Sequence, residues 1–385
     1  MNTAFLQSMQ DALQLVKSGQ VLQATAAIQM ALNGNQPIVA NKPLDPHVIE
    51  GEVIKPNATK ASTEPLAAFQ TWLDKFQVPL AETKTANHSP LEIPKGAQFL
   101  AKTYHNAQGS RDYKLYVPSQ YQGQAMPLVV MLHGCTQSAD DFAAGTQMNA
   151  LGEEFGVLVA YPNQANSANL KRCWNWFNPQ DQQANQGEPA LIAGITQAVM
   201  HDYAVDKRRV YIAGLSAGGA MAAIMAQVYP ELYAAVGVHS GLAAGSAHDL
   251  MSALNAMRSG SRSALTPKPT QRFVPTIVFH GDQDQTVNQV NAEQVLSQAK
   301  AALQASNDEY FNVDKQQITP PQGRSYTRTQ FKDAQQHTQI EYWLIQGAGH
   351  AWAGGNPAGS YTDPQAPNAS REMLRFFLEH PQHKP

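Results

Sequence analysis

Ser216 lies in Gly214-Leu215-Ser216-Ala217-Gly218, the residue types and spacing of a nucleophile on a sharp turn. A serine hydroxyl is a weak nucleophile near neutral pH. It attacks a carbonyl only when a base takes its proton and an acid orients that base. Both partners follow in order. Strand-like Thr276-Ile277-Val278-Phe279 runs into His280-Gly281-Asp282-Gln283-Asp284, and the last strand-like run leads into Gly347-Ala348-Gly349-His350. His350, on a glycine-bracketed loop, is the candidate base. Asp284 is the favoured acid and Asp282 the alternative; with Asp284 as acid, Asp282 is expected to cap the turn by bonding a backbone N–H two residues on. His133 and His280 also close strands beside a glycine, where bonding the backbone of their own loops is the expected role. The oxyanion of a tetrahedral intermediate needs hydrogen-bond donors. Ala217 N–H follows the nucleophile directly. The second donor is expected from the loop after an early strand, Leu132-His133-Gly134-Cys135-Thr136-Gln137, with Cys135 N–H best placed. The chemistry is acyl transfer through a serine ester, for which neither a metal nor an organic cofactor is required.

Such groups need elements that aim them. Arg209-Val210-Tyr211-Ile212-Ala213 reads as a buried strand before the serine, and the small residues from Ala217 to Ala226 read as the helix after it. Further strands are expected at 98–104, 113–117, 127–132, 157–161, 234–238, 275–279 and 340–345. Helices are expected near 141–155, 189–203, 217–229, 289–304 and 368–380. This alternation implies an α/β fold, with a mostly parallel sheet covered by helices on both faces. Ahead of it, residues 1–34 show helical spacing (Leu6, Met9, Leu13, Val16, then Val21, Ile28, Leu32) broken at Ser18-Gly19, which predicts a helical hairpin. Residues 35–94 read as a linker with a short helix near 64–76, and 95–385 as the catalytic domain.

Composition narrows the function. Of 385 residues 43% are apolar and 15% charged, enough for a large core, and a net charge of −3 without a basic stripe speaks against nucleic-acid binding. Apolar runs such as 126–132 are too short for a transmembrane segment. The N-terminus has no basic region followed by an apolar run, so no secretory leader is recognised. The only cysteines, Cys135 and Cys173, could form one bridge or, in a reducing compartment, remain buried thiols.

Together, L-H-G-C-T-Q (132–137), C-W-N-W-F (173–177), G-L-S-A-G-G-A-M (214–221), H-G-D-Q-D-Q-T-V (280–287) and G-H-A-W-A-G-G (349–355) resemble the polyhydroxybutyrate depolymerase family of α/β-hydrolase esterases over residues 95–380. The resemblance implies hydrolysis of carboxylic esters, typically poly(3-hydroxybutyrate), its oligomers or other bulky esters. It puts the nucleophile on Ser216, the acid on Asp284, the base on His350 and an oxyanion donor on Cys135. It also implies that Trp174, with Trp176 and Trp352, lines the substrate cleft, since flat aromatic surface suits an apolar polyester; core packing is the alternative. Rival substrates are feruloyl, acetylxylan or general carboxylic esters. A rival of another class is a granule-binding protein with the hydrolase domain as scaffold, against which the complete Ser/Asp/His order counts. Secreted depolymerases of this type add a leader and a polymer-binding domain that are not seen here. The N-terminal extension looks like that of non-secreted members. The expectation is therefore a cytoplasmic enzyme acting on amorphous polymer or soluble oligomers, with residues 1–34 a candidate contact to storage granules; the alternative is secretion, if a leader has been removed.

Overall fold

A middle strand can be an unbroken apolar run because both of its faces are covered. In β3 (Met126–Leu132) every residue is buried: Leu128, Val130 and Leu132 pack on one side of the sheet, Val129 and Met131 on the other. The computed structural model describes residues 92–261, 272–307 and 312–382. The expected hairpin of 1–34, the linker up to residue 91 and the helix near 64–76 lie outside them.

Among the described residues ten strands form one mixed sheet in the order β1-β2-β4-β3-β5-β6-β7-β10-β9-β8. Its parallel centre comprises β4 (Leu158–Pro162), β3, β5 (Val205–Leu215), β6 (Ala235–His239), β7 (Thr276–Gly281) and β10 (Thr338–Ile345). Antiparallel hairpins extend it at both edges: β1 (Gln98–Asn106) with β2 (Gly109–Val117), and β8 (Asn312–Ile318) with β9 (Tyr326–Lys332). One face is covered by α3 (Gly187–Asp202), α4 (Ala217–Val228) and α6 (Val290–Asn307), through Ile192, Ile195, Met221, Met225 and Leu296. The other carries α1 (Ala139–Thr146), α2 (Met148–Phe155) and α7 (Ala369–Glu379), through Phe142, Leu151, Met373 and Phe377. This is the α/β-hydrolase architecture expected from the sequence. No helix among the described residues is long and apolar enough to cross a membrane.

Three elements depart from expectation. The helix expected over 141–155 is two helices, because Gln147 takes a left-handed conformation (φ 55°) that ends α1 and begins α2. Gly145, just before this break, packs against the backbone of Gly359. Helix α5 (Leu250–Ser259) was not foreseen; Asp249 and Ser252 form a capping box at its start. The β8–β9 hairpin was not foreseen either, since its polar strands, mostly exposed in β8 and half-buried in β9, give little hydrophobic alternation and are held by backbone pairing.

Candidate active site

All the sequence-derived candidates except the tryptophans lie on loops leaving the C-terminal ends of parallel strands, where open α/β sheets build their sites. Ser216 sits between β5 and α4 at φ 58°, ψ −119°. A non-glycine residue held there costs about 1–3 kcal/mol. Two hydrogen bonds sustain it: Ser216 N–H donates to His239 O and Ala220 N–H donates to Ser216 O, each 2.9 Å. Glycine at 218 is a steric requirement, because a Cβ there would overlap the carbonyl oxygens of Leu132 and His133. The elbow thus packs by backbone contact against the loop after β3. A Cβ on Gly134 of that loop would lie 3.6 Å from Ser216 Cβ.

After β7, Asp284 Oδ1 accepts the N–H groups of Thr286 and Val287 at 2.9 Å, and Oδ2 lies 2.7 Å from His350 Nδ1. Burial pushes this carboxyl up, but the His350 bond and charge, His280 and the Val287 N–H outweigh it and hold its pKa below the ordinary value. A carboxylate can only accept, so His350 carries its proton on Nδ1 and offers a bare Nε2. The His350 side chain is 12% exposed and Asp284's fully buried. Among the described residues Ser216 Oγ has no hydrogen-bond partner, so its contact with His350 is not closed in this structure.

Asp282 acts differently from the cap expected of it. It binds the base loop, accepting Gly347 N–H at 2.7 Å, while Asp282 N–H and Gln283 N–H donate to Ile345 O and Ala348 O. The loops after β7 and β10 are laced together at main-chain level. His280 Nε2 lies 2.8 Å from Val287 O and 3.5 Å from Asp284 Oδ2, and burial lowers its pKa. His133 likewise bonds its own loop (Nδ1 to Gly134 O, 2.7 Å), and burial pushes it down to about 4.

Cys135 and Cys173 are joined in a disulfide. Four hydrogen bonds clasp the same two segments. Thr136 N–H donates to Lys171 O (2.6 Å), Arg172 to Thr136 O (2.7 Å), Trp174 Nε1 to His133 O (3.1 Å) and Gln164 N–H to His133 Nε2 (3.0 Å). On the far side Gln137 takes Gly134 N–H and donates to Asp141. Among the described residues neither Cys135 N–H nor Ala217 N–H has a partner, so both stay free to donate. No three His, Cys, Asp or Glu side chains among the described residues are grouped as a metal site.

The tryptophans are corrected. Trp174 is 0% exposed and Trp352 1%, so neither indole offers a face to a polymer. Trp174 is core packed beneath the loop after β3, while Trp352 bonds Ser370 Oγ and packs edge-on against Phe142. Trp176, at 5% exposure, is buried too. Behind Trp174, Glu188 accepts from Gln164 Nε2 and from both nitrogens of Asn175, beside buried Arg111 and Asp181. Burial, then the Asp181 charge, push Glu188 up to about 7.

Sequence reasoning missed His239, whose carbonyl receives Ser216 N–H. The available signal was its place at a strand end in Val238-His239-Ser240-Gly241, the setting in which His133 and His280 were noticed. Its ring belongs to a stack that crosses the sheet: Tyr326–Trp343 (4.7 Å), Trp343–Phe279 (5.3 Å), Phe279–His239 (5.8 Å) and His239–Trp352 (5.0 Å).

The family model described as Esterase PHB depolymerase matches residues 111–305. Poly(3-hydroxyalkanoate) depolymerase C of Paucimonas lemoignei is 30% identical over 250 residues, 61% of this chain and 57% of that protein. The chain therefore spans little more than half the length of this relative. Feruloyl esterase B of Thermothelomyces thermophilus is 27% identical over 252 residues, 61% of this chain and 82% of that protein. Among solved structures, an acetyl xylan esterase from Aspergillus awamori shares the fold, with a TM-score of 0.57 at 20% identity over 74% of this chain and 99% of that one.

Proposed function

The chain belongs to the PHB depolymerase esterase family, and from that premise we propose that it is a serine ester hydrolase whose substrates are poly(3-hydroxyalkanoate) chains or their oligomers. The observation that carries the reading is the 2.7 Å bond from His350 Nδ1 to Asp284, with Ser216 on a strained elbow beside the oxyanion loop. Ser216 Oγ attacks the ester carbonyl carbon as its proton passes to His350 Nε2. Asp284 holds the ring and favours the imidazolium. The N–H groups of Cys135 and Ala217 receive the oxyanion. Collapse breaks the ester C–O bond, and the imidazolium gives its proton to the departing hydroxyl end. Water, giving a proton to His350 Nε2, then attacks the acyl carbon; the acyl C–Oγ bond breaks as the imidazolium returns that proton to Ser216 Oγ, and the acid is released.

A second reading, ester-linked feruloyl or acetyl groups on a polysaccharide, is favoured by one finding: burial of the three tryptophans removes the flat aromatic surface on which polymer binding was argued. Ser216→Ala tests the chemistry on a soluble p-nitrophenyl ester, where turnover should fall by at least about 10⁴; substantial residual activity refutes it. Product release from amorphous poly(3-hydroxybutyrate), compared with feruloylated and acetylated xylan fragments, separates the substrates. Disulfides persist in oxidising compartments and are rare in reducing ones, so the Cys135–Cys173 bridge supports an oxidising compartment as the proposed location.

A further inference from the structure

We infer that His239 is a positioning residue for the base: its side chain fixes the loop that carries His350, while its main chain fixes the elbow that carries Ser216. The inference rests on the reading of Ser216, Asp284 and His350 as the catalytic set. His239 ends β6. Its carbonyl accepts Ser216 N–H, and its ring Nε2 accepts the N–H of Ala353, three residues beyond His350, also at 2.9 Å. A backbone N–H can only donate, so Nε2 is bare and the ring proton sits on Nδ1, 3.2 Å from Ser240 Oγ. The ring is 1% exposed, stacked between Phe279 at 11° and Trp352 at 25°.

The remaining anchors of this loop point elsewhere. Before His350, Asp282 and Gln283 tie it to the acid loop. Beyond His350, Trp352 N–H and Gly354 N–H bond the 361–363 segment, and Trp352 Nε1 bonds Ser370. The His239–Ala353 bond is what ties the later half of the loop to the strand beside the nucleophile. Ala353 is 1% exposed, so removing the acceptor strands a buried N–H that the loop can satisfy only by moving. The charged or titratable groups that act on the ring are His280 and His350, which disfavour its protonation, and Asp284, which favours it. Burial dominates and lowers the ring's pKa to about 3, so it stays an acceptor well below neutral pH.

The experiment compares His239→Phe, which keeps an aromatic ring for the stack but removes the acceptor, with His239→Gln, whose amide oxygen can reach Ala353. The readouts are kcat, KM and the pH profile of kcat/KM on a soluble p-nitrophenyl ester, with the melting temperature of each variant. The Phe variant is expected to lose about ten- to a hundredfold in kcat. Its KM should stay within about threefold and the acid limb of its profile should be displaced, while Gln restores most of kcat and the original limb. Wild-type kcat and profile in the Phe variant overturn the inference, as does an equal loss in both variants that tracks melting temperature. If the Phe variant does not fold, His239→Asn, whose shorter amide cannot reach Ala353, takes its place with the same expected and overturning results. His350→Ala is the control. Full activity there overturns the catalytic reading itself, whereas an inactive His350→Ala beside a fully active Phe variant overturns only the role of His239.

Discussion

Replacing both Cys135 and Cys173 by serine separates what the bridge does for stability from what it does for catalysis. The cysteines are 38 residues apart. The chain-entropy relation gives about −13 cal/mol/K for closing such a loop in the unfolded chain, or about 4 kcal/mol at 25 °C. With an unfolding entropy of about 2.1 cal/mol/K per residue over the ~290 residues of the domain, the melting temperature should fall by about 6–7 °C. Catalysis should suffer less. Losing an oxyanion donor costs about 10²–10³ in kcat, but four hydrogen bonds still clasp the Cys135 loop to 164–174 when the bridge is gone. Turnover of a soluble ester should therefore drop only about three- to tenfold. Calorimetry of the double variant, with steady-state kinetics well below its melting temperature, checks both numbers. An unchanged melting temperature refutes the loop-closure argument, and a hundredfold loss of kcat in folded protein refutes the claim that hydrogen bonds alone hold the loop.

The same packing and electrostatics lead to further expectations. Gly218→Ala should abolish soluble expression or activity, because its methyl overlaps two main-chain carbonyls, whereas Gly349→Ala, which meets nothing within 4 Å, should keep activity although it adjoins His350; equal behaviour of the two contradicts the packing argument. Trp174→Ala should cost about 3–5 kcal/mol and depress polymer and soluble-ester turnover alike, and a loss confined to polymer would restore the cleft role. Acid should destabilise the fold through His133 and His239, whose folded pKa values are lowered to about 4 and about 3. The stability this represents is present above the unfolded value near 6.5 and is lost as pH falls below it, about 4 kcal/mol between pH 7 and pH 5. Glu188, raised to about 7, has the opposite sign and returns about 2 kcal/mol over that interval. Denaturant unfolding should thus show the wild type losing at least about 2 kcal/mol and Glu188→Gln about 2 kcal/mol more; identical pH dependence would count against a neutral Glu188.

The residues most legible in the sequence were those whose chemistry dictates their neighbours. Ser216 needs small residues around a turn, and His350 needs a loop after a late strand; both constraints leave a local trace. Asp284 is the carboxylate that meets His350, whereas the partner of Asp282 is 65 residues away and no local pattern encodes it. The tryptophans went astray because an indole in a loop reads the same whether it faces solvent or core. Trp174 turns inward because its N–H finds His133 O and the bridge pins the residue before it. For His239 the sequence shows only its place at a strand end before a glycine; its bonds to Ser216 N–H and Ala353 N–H join residues 23 and 114 positions away, which no local pattern encodes. The β8–β9 hairpin escaped because its strands bury little.

The backbone contact at Gly218 has a consequence for how such enzymes diversify. The elbow and the loop after β3 meet through carbonyl oxygens and an α-carbon rather than through side chains. A Cβ on Gly281 would likewise overlap the carbonyl oxygen of Ala348, so the acid and base loops are joined in the same way. Substitution cannot retune distances set by atoms that every residue possesses. Differences in substrate range are then expected in segments attached to this frame but exposed, such as 164–172, which bonds the loop after β3 and where Leu170 is 91% exposed. Two proteins similar to this chain carry names as different as depolymerase and feruloyl esterase.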